Sequence, residues 1–352
     1  MKPQHQALAE GELGIALLHA QRGDIVATRA CLKAAIAGGV STGGNASLFH
    51  GAPALEFVLR CAGRPLTDVT EATDHVVRHR LVAARERRES GARPALAEFD
   101  LIRGLTGLGA LLLARDTGGR LLNAVLAYLV ELAQPVQHTD GRQLPGWWCD
   151  TGPDDKALAG GHGNNGVAHG IAGPLALMSL AARAGIVVEG QIEAIGLCFD
   201  WLEQHGGFYW LTRDQLEEHR PAAPSRPSWC YGALGIVRAR QLAAIALGDN
   251  GRRKAAEVSA VVTLSDHSMI NRLTIDAGLC HGWAGQLAVT RAIAVDSAEP
   301  DRFARFTAYL EAKTSAGLDA LTKPGFLDGR AGAELALAGT DMTGWTRALL
   351  IN

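Results

Sequence analysis

Two segments of the chain place a cysteine at the head of a glycine-rich helix start, and in one of them a histidine follows directly. Cys280 and His281 precede the Gly-Trp-Ala-Gly of residues 282–285, and Cys230 stands in the related Trp-Cys-Tyr-Gly-Ala-Leu-Gly of residues 229–235. Thiolate and imidazole are preferred zinc ligands, and three protein ligands leave a fourth position open, as in catalytic zinc sites. The set therefore predicts a zinc centre. The alternative is that both cysteines are small buried apolar residues beside glycines.

The same glycine pattern recurs along the whole chain. Glycine accounts for 42 of the 352 residues, well above the roughly 7% of ordinary proteins. Seven Gly-x-x-Gly or closely related segments, each followed by a run rich in Ala, Leu and Ile, begin 40 to 66 residues apart, at Gly11, Gly51, Gly104, Gly170, Gly232, Gly282 and Gly329. A unit repeated at such a period predicts a repeat architecture. Cys230 and Cys280 are one repeat apart and are expected in adjacent repeats.

Each repeat predicts two helices of different character. The apolar run behind the glycines carries little charge and predicts a helix buried nearly all round. The segments between these runs are amphipathic, namely residues 24–37, 73–89, 121–133, 191–205 and 303–321. This alternation predicts an all-α fold, an α/α toroid (double α-barrel) of about seven helix pairs, forming one domain over residues 1–352. An open helical solenoid is the alternative, and the uniformly apolar inner helices disfavour it.

Strand signals are few, and two stretches read as long ordered loops. Residues 135–166 are rich in Gly, Asp and Asn, and residues 206–228 contain Phe-Tyr-Trp-Leu followed by three prolines. Long irregular loops in a compact domain usually carry function. If the helix pairs alternate regularly, the residues just before the glycines converge at one end of the toroid, which brings together Glu10, His50, Arg103, His169, Tyr231, His281 and Asp328.

Composition and charge exclude several function classes. The net charge is −2, and no basic block dominates, which argues against nucleic acid or an anionic membrane as the main partner. The N-terminal residues have no secretory-signal pattern, and no stretch reaches the roughly 18 apolar residues of a membrane helix. The six cysteines lie far apart without a CxxC, so no disulfide framework is expected. We expect a cytoplasmic protein that could join a membrane complex only through partners.

Four segments resemble the signature motifs of the lanthionine synthetase C (LanC-type cyclase) family. Three are Asn-Asn-Gly-Val-Ala-His-Gly-Ile-Ala-Gly (164–173), Ser-Trp-Cys-Tyr-Gly-Ala-Leu-Gly (228–235) and Leu-Cys-His-Gly-Trp-Ala-Gly (279–285). The fourth, residues 99–107, is similar to that family's aspartate-bearing motif. The pattern covers essentially the entire chain, as the seven-pair α-toroid of this family would require.

The resemblance implies a zinc ion held by Cys230, Cys280 and His281. It also implies four catalytic residues, namely His169, Asp100, Arg226 and Tyr231. The reaction it implies is the addition of peptide cysteine thiols to dehydroalanine or dehydrobutyrine, giving lanthionine or methyllanthionine rings. The substrate would be a dehydrated precursor peptide, and a separate dehydratase is expected because 352 residues leave no room for a fused one.

The implied chemistry is physically consistent with these residue types. Zinc deprotonates a bound thiol, whose pKa is otherwise near 8.5. Addition to the β-carbon leaves an enolate that needs a proton, and a histidine such as His169 is a suitable general acid. Asp100 can orient or charge-balance the histidine, or take the thiol proton. Arg226 or Tyr231 can stabilise the enolate oxygen.

The sequence is also compatible with other interpretations. Addition of a small thiol such as glutathione to a dehydroamino acid would use the same zinc. A prenyltransferase-like toroid would need a zinc aspartate and a basic diphosphate pocket, and a non-catalytic peptide-binding toroid would be favoured by loss of a ligand. Individually, His169 can be a structural histidine, Asp100 a helix cap and Arg226 a solvated loop residue. His162 is assigned to a loop, His50 is expected to be structural, and no role is given to Cys149 or Asp328.

Overall fold

Helices account for most of the molecule, and short strands fill two of the connections. The computed structural model describes residues 3–115, 119–137, 141, 143–152, 156–218 and 225–352. In chain order the helices are α1 (Glu12–Gln21), α2 (Ile25–Ile36), α3 (Gly51–Cys61), α4 (Thr67–Glu89), α5 (Leu96–Phe99), α6 (Leu105–Ala114), α7 (Arg120–Ala133), α8 (Ala172–Arg183), α9 (Gln191–His205), α10 (Arg213–Glu218), α11 (Ala233–Ala246), α12 (Asn250–Ser265), α13 (His267–Leu273), α14 (Trp283–Val295), α15 (Ala304–Gly317) and α16 (Arg330–Leu337). The strands are β1 (Val136–Gln137), β2 (Gln143–Leu144), β3 (Cys149–Thr151), β4 (Ala157–Asn164) and β5 (Trp210–Thr212). Among the described helices, none has both the length and the apolar character needed to cross a membrane.

The predicted glycine segments open seven of these helices, which we call the inner helices: α1, α3, α6, α8, α11, α14 and α16. Glycines such as Gly104 and Gly282 occupy the N-cap position with an extended backbone. A β-carbon at Gly104 would collide with the backbone of Phe99 and Asp100. Glycine therefore allows the preceding turn to pack directly against the helix start.

Burial separates the inner helices from the helices that follow them. In α6, residues 105–112 are all buried, whereas α2 buries only Thr28 and Ala35. The amphipathic segment predicted at 191–205 coincides with α9. Six inner helices are followed by a long, more exposed helix, and α16 is followed by the 3₁₀ helix Trp345–Leu349.

The chain groups into two compact units. The first comprises residues 1–76, 226–229 and 257–352, and the second comprises residues 77–225 and 230–256. In the first unit, α1 packs against α2, α3 and α16, and α14 packs against α15 and α16. In the second unit, α8 packs against α6, α9 and α11, and α7 packs against α6 and α9. That the whole chain acts as one domain stays a prediction.

The two predicted loops contain regular structure, so their assignment as loops was wrong in part. Strands β3, β4 and β5 form an antiparallel sheet, and β1 pairs with β2. His162 lies on β4, opposite Cys149 on β3 and Thr212 on β5. The strand was missed because β4 has no β-branched residue and contains Gly160 and Gly161 with positive φ. Residues 138–140, 142, 153–155 and 219–224 of the predicted loops lie outside the described residues.

Candidate functional site

In the second unit, three of the segments that precede the inner helices are joined by backbone hydrogen bonds. The Leu101 N–H donates to the Ala168 carbonyl at 3.1 Å, and the Ala168 N–H donates to the Cys230 carbonyl at 3.1 Å. The segment before α6, the one before α8 and the one before α11 therefore lie side by side. This places the predicted acid–base residues next to the backbone of a predicted metal ligand.

The first unit repeats this arrangement with the segments before α1, α14 and α16. The Leu327 N–H donates to the Ala9 carbonyl at 3.0 Å. The Leu327 carbonyl accepts from the N–H groups of Leu279 and Cys280, at 2.7 and 2.9 Å. The residues just before the glycines of neighbouring repeats are thus held in register, as the repeat predicts.

Asp100 and His169 form a hydrogen-bonded pair. Asp100 Oδ2 lies 2.6 Å from His169 Nδ1, and Asp100 Oδ1 accepts the backbone N–H groups of Arg103 and Gly104 at 2.5 and 2.9 Å. Asp100 is fully buried, while the His169 side chain is 25% exposed. A carboxylate can only accept hydrogen bonds, and every one of these partners is a donor. The arrangement fixes the ring of His169 and leaves its Nε2 for other contacts.

Aromatic rings continue from His169 towards solvent. Tyr231 stacks on His169 with ring centroids 5.7 Å apart, and Tyr209 meets the ring of Tyr231 edge-on at 5.4 Å. Tyr209 is 52% exposed. Tyr209 was not among the predicted site residues, although it belongs to the Phe-Tyr-Trp-Leu cluster noted in the sequence.

Cys230, Cys280 and His281 come together as a group that could hold a metal ion. One ligand atom from each of the three lies within 4.8 Å of the others. Cys230 is buried, while Cys280 and His281 are partly exposed. Thiolate sulfur and imidazole nitrogen are the donor types that zinc prefers, and ligand atoms within 4.8 Å of one another need only small side-chain movements to share one ion. The partial exposure is compatible with an open fourth position.

The remaining predicted residues have different surroundings. Arg226 is exposed in a segment without regular secondary structure and has no ion pair or hydrogen bond with the described residues. Asp328 Oδ1 lies 3.9 Å from His281 Nε2. His50 is partly buried, which lowers its pKa. His162 is fully buried and stacks on Trp210 with ring centroids 4.1 Å apart, and burial lowers its pKa as well.

The other cysteines contrast with the metal group. Cys149 is buried, and its burial raises the pKa of the thiol to about 12. Cys198 is fully buried, and its pKa is raised for the same reason. A thiol in such surroundings is neither a good nucleophile nor a good ligand. None of the six cysteines, all of which lie in the described part of the chain, forms a disulfide bond.

Comparison with known proteins identifies the family. The family model described as "Lanthionine synthetase C-like protein" matches residues 2–342. The structure is also similar to that of nisin cyclase, with a TM-score of 0.79 and 20% identity, over 100% of this chain and 93% of the nisin cyclase chain. At this identity the likeness shows the fold, and it confirms the predicted all-α, α/α-toroid class. No curated protein matches the sequence. The chain therefore belongs to the lanthionine synthetase C-like family.

Proposed function

We propose that this protein is a zinc-dependent lanthipeptide cyclase. It would add cysteine thiols of a dehydrated precursor peptide to dehydroalanine or dehydrobutyrine and so form thioether rings. The observation that carries the proposal is the group of Cys230, Cys280 and His281, whose ligand atoms lie within 4.8 Å of one another. Membership of a family that includes cyclases, and a fold similar to that of nisin cyclase, supports it.

The residues present fit a catalytic zinc ion. Two thiolates and an imidazole make three ligands, and a catalytic site keeps a fourth position for water or substrate. Cys230, Cys280 and His281 would hold the ion. When bound, zinc would lower the pKa of a coordinated substrate thiol and supply it as a thiolate nucleophile at neutral pH.

His169 and Asp100 would handle the proton that the addition requires. Attack of sulfur on the β-carbon forms the C–S bond and places the electron pair of the double bond on the α-carbon and the adjoining carbonyl. Asp100 accepts a hydrogen bond from His169 Nδ1, which leaves Nε2 to give a proton to the α-carbon. The addition releases one proton from the substrate thiol and consumes one at the α-carbon, so no net proton is gained or lost. Solvent or His169 would carry the proton from the first position to the second.

Tyr231 and Arg226 would complete the site. Tyr231 packs on the face of the His169 ring and can donate a hydrogen bond towards an enolate oxygen from that position. Arg226 precedes the metal-ligand segment and is exposed, so it would have to contact the bound substrate rather than another protein group. Both roles are part of the proposal.

The partners follow from the proposed reaction. The substrate must carry dehydrated serine or threonine residues together with free cysteines, so a dehydratase has to act before this protein. We propose a separate dehydratase and reaction in the cytoplasm, where cysteine thiols stay reduced.

The proposal is tested by metal content together with activity. The protein is purified without chelators, and elemental analysis is made on the wild type, Cys230→Ala, Cys280→Ala and His169→Asn. Cys31→Ala is the matched control, because Cys31 is partly exposed like Cys280 and lies outside the metal group. We expect about one zinc per chain in the wild type, Cys31→Ala and His169→Asn, and none in the two ligand variants.

Activity then separates the roles. Consumption of thiols in a dehydrated peptide is expected from the wild type and Cys31→Ala alone. Loss of zinc in His169→Asn would contradict the division of roles between the metal group and the acid–base pair. A wild type that takes up no zinc would favour a peptide-binding toroid without catalysis. Turnover only with a small thiol such as glutathione would instead identify addition of that thiol as the reaction.

A further inference from the structure

Asp328 stands at the glycine segment that opens α16, and one of its oxygens faces the histidine of the metal group. Asp328 Oδ1 lies 3.9 Å from His281 Nε2. That oxygen is buried and has no hydrogen-bond partner among the described residues. An unsatisfied buried carboxylate oxygen is costly, so a donor for it is needed.

The backbone holds Asp328 in a fixed register against the ligand segment. The carbonyl of the preceding Leu327 accepts from the N–H groups of both Leu279 and Cys280. A β-carbon on Gly278 would come within 3.2 Å of the Asp328 α-carbon. The approach of Asp328 to His281 is therefore built into the contact between two neighbouring repeats.

The second oxygen of Asp328 is already engaged. Lys323 Nζ lies 3.5 Å from Asp328 Oδ2 and 3.7 Å from Glu10 Oε1. Glu10, Asp328 and His281 each stand directly before the first glycine of their repeat. Lys323 thus balances the charge of Asp328 on one side, and Oδ1 is left on the side of His281.

We infer that Asp328 is a positioning residue for the metal ligand His281. It accepts a hydrogen bond from Nε2–H and thereby fixes Nδ1 as the nitrogen that binds the metal. A closure of about 1 Å brings the pair to ordinary hydrogen-bond distance. Histidine ligands commonly give their other N–H to a carboxylate, which fixes the tautomer and raises the basicity of the ligand. This inference rests on the proposed function, since it requires His281 to bind a metal.

The test measures zinc affinity directly. Zinc binding is measured by competition with a chromophoric chelator for the wild type, Asp328→Asn and Asp319→Asn. Asp319 is the control because it is 95% exposed and pairs with Arg330, outside the metal group. We expect Asp328→Asn to bind zinc about 10- to 100-fold more weakly and Asp319→Asn to match the wild type.

Three further measurements complete the test. Asp328→Glu keeps a carboxylate and is expected to bind zinc more tightly than Asp328→Asn. Thermal unfolding without metal should give nearly the same midpoint for the wild type and Asp328→Asn, because the Leu327 backbone hydrogen bonds are kept and the lost pair with the exposed Lys323 contributes little. The visible spectrum of the cobalt-substituted protein should shift in Asp328→Asn, since the ligand field of His281 changes.

The outcomes separate the inference from the function. If Asp328→Asn binds zinc as tightly as the wild type with an unchanged cobalt spectrum, Asp328 does not position His281, and the proposed function stands. If the wild type binds no zinc, the proposed function fails and the inference fails with it.

Discussion

Replacing Asp100 tests how much the hydrogen-bonded pair of Asp100 and His169 contributes to stability and to activity. Its carboxylate is fully buried and accepts three hydrogen bonds, from the Arg103 and Gly104 N–H groups and from His169. Hydrogen bonds to charged groups contribute roughly 1.5 to 3 kcal/mol each. Water can reach part of Arg103 and His169, so we expect Asp100→Ala to lower the free energy of unfolding by roughly 3 to 5 kcal/mol.

Asp100→Asn separates the carboxylate's structural function, which is to accept the backbone N–H groups, from its function at His169. The amide oxygen can still accept both backbone N–H groups, so the loss of unfolding free energy should be only roughly 1 to 2 kcal/mol. In that orientation the amide NH₂ faces His169 and donates to Nδ1, which moves the ring proton to Nε2. The neutral amide no longer stabilises the imidazolium that must deliver the proton from Nε2, so we expect kcat to fall about 10²- to 10⁴-fold.

Urea denaturation followed by circular dichroism measures the stability, and thiol consumption in a dehydrated peptide measures the activity. Asp319→Asn, at an exposed ion pair, should leave both unchanged. The reasoning is refuted if Asp100→Asn is as unstable as Asp100→Ala, because the backbone hydrogen bonds would then not be retained. It is also refuted if Asp100→Asn keeps nearly full activity.

Three further predictions concern buried groups. Trp229 Nε1 donates to the Leu349 carbonyl in the core, so Trp229→Phe should lower the free energy of unfolding by about 1 to 3 kcal/mol, measured in urea. Burial lowers the pKa of His162 in the folded state, so the unfolded chain binds a proton more readily and stability should fall as the pH drops below about 6.5. His162→Gln should show a smaller fall between pH 7.5 and pH 5 in thermal unfolding. Because burial raises the pKa of Cys149 to about 12, this thiol should react with a disulfide reagent at pH 8 only after unfolding, as followed by mass spectrometry.

The glycine segments made the inner helices predictable. At Gly104 and Gly282 the helix starts where the sequence indicated, because a side chain there would collide with the preceding turn. The apolar runs behind them required burial on every side, which an amphipathic pattern does not. Local sequence is sufficient for such a signal, since both the turn and the helix lie within a few residues.

Tertiary pairing accounts for what the sequence did not predict. Strand β4 has weak strand propensity and owes its conformation to its partners β3 and β5. His162 was therefore assigned to a loop and found in a strand. The contact between Asp100 and His169 joins residues 69 positions apart, so local sequence could not predict it, and the role of Asp100 stays a proposal. The approach of Asp328 to His281 likewise depends on how the two repeats that carry them pack against each other.

The contact between the first and last repeats has a consequence for synthesis of the protein. Gly14 of α1 packs against the backbone of Phe326, and the Leu327 N–H donates to the Ala9 carbonyl, so α1 lacks one of its neighbours until residues 326 and 327 have been made. At about 5 to 20 residues per second, roughly 300 residues separate the two segments by about 15 to 60 s of translation. During that time part of the apolar surface of α1 stays uncovered on the ribosome. The nascent chain therefore depends on shielding by chaperones or on interim packing of α1 against α2 and α3, and its native fold can form only after the last repeat has emerged.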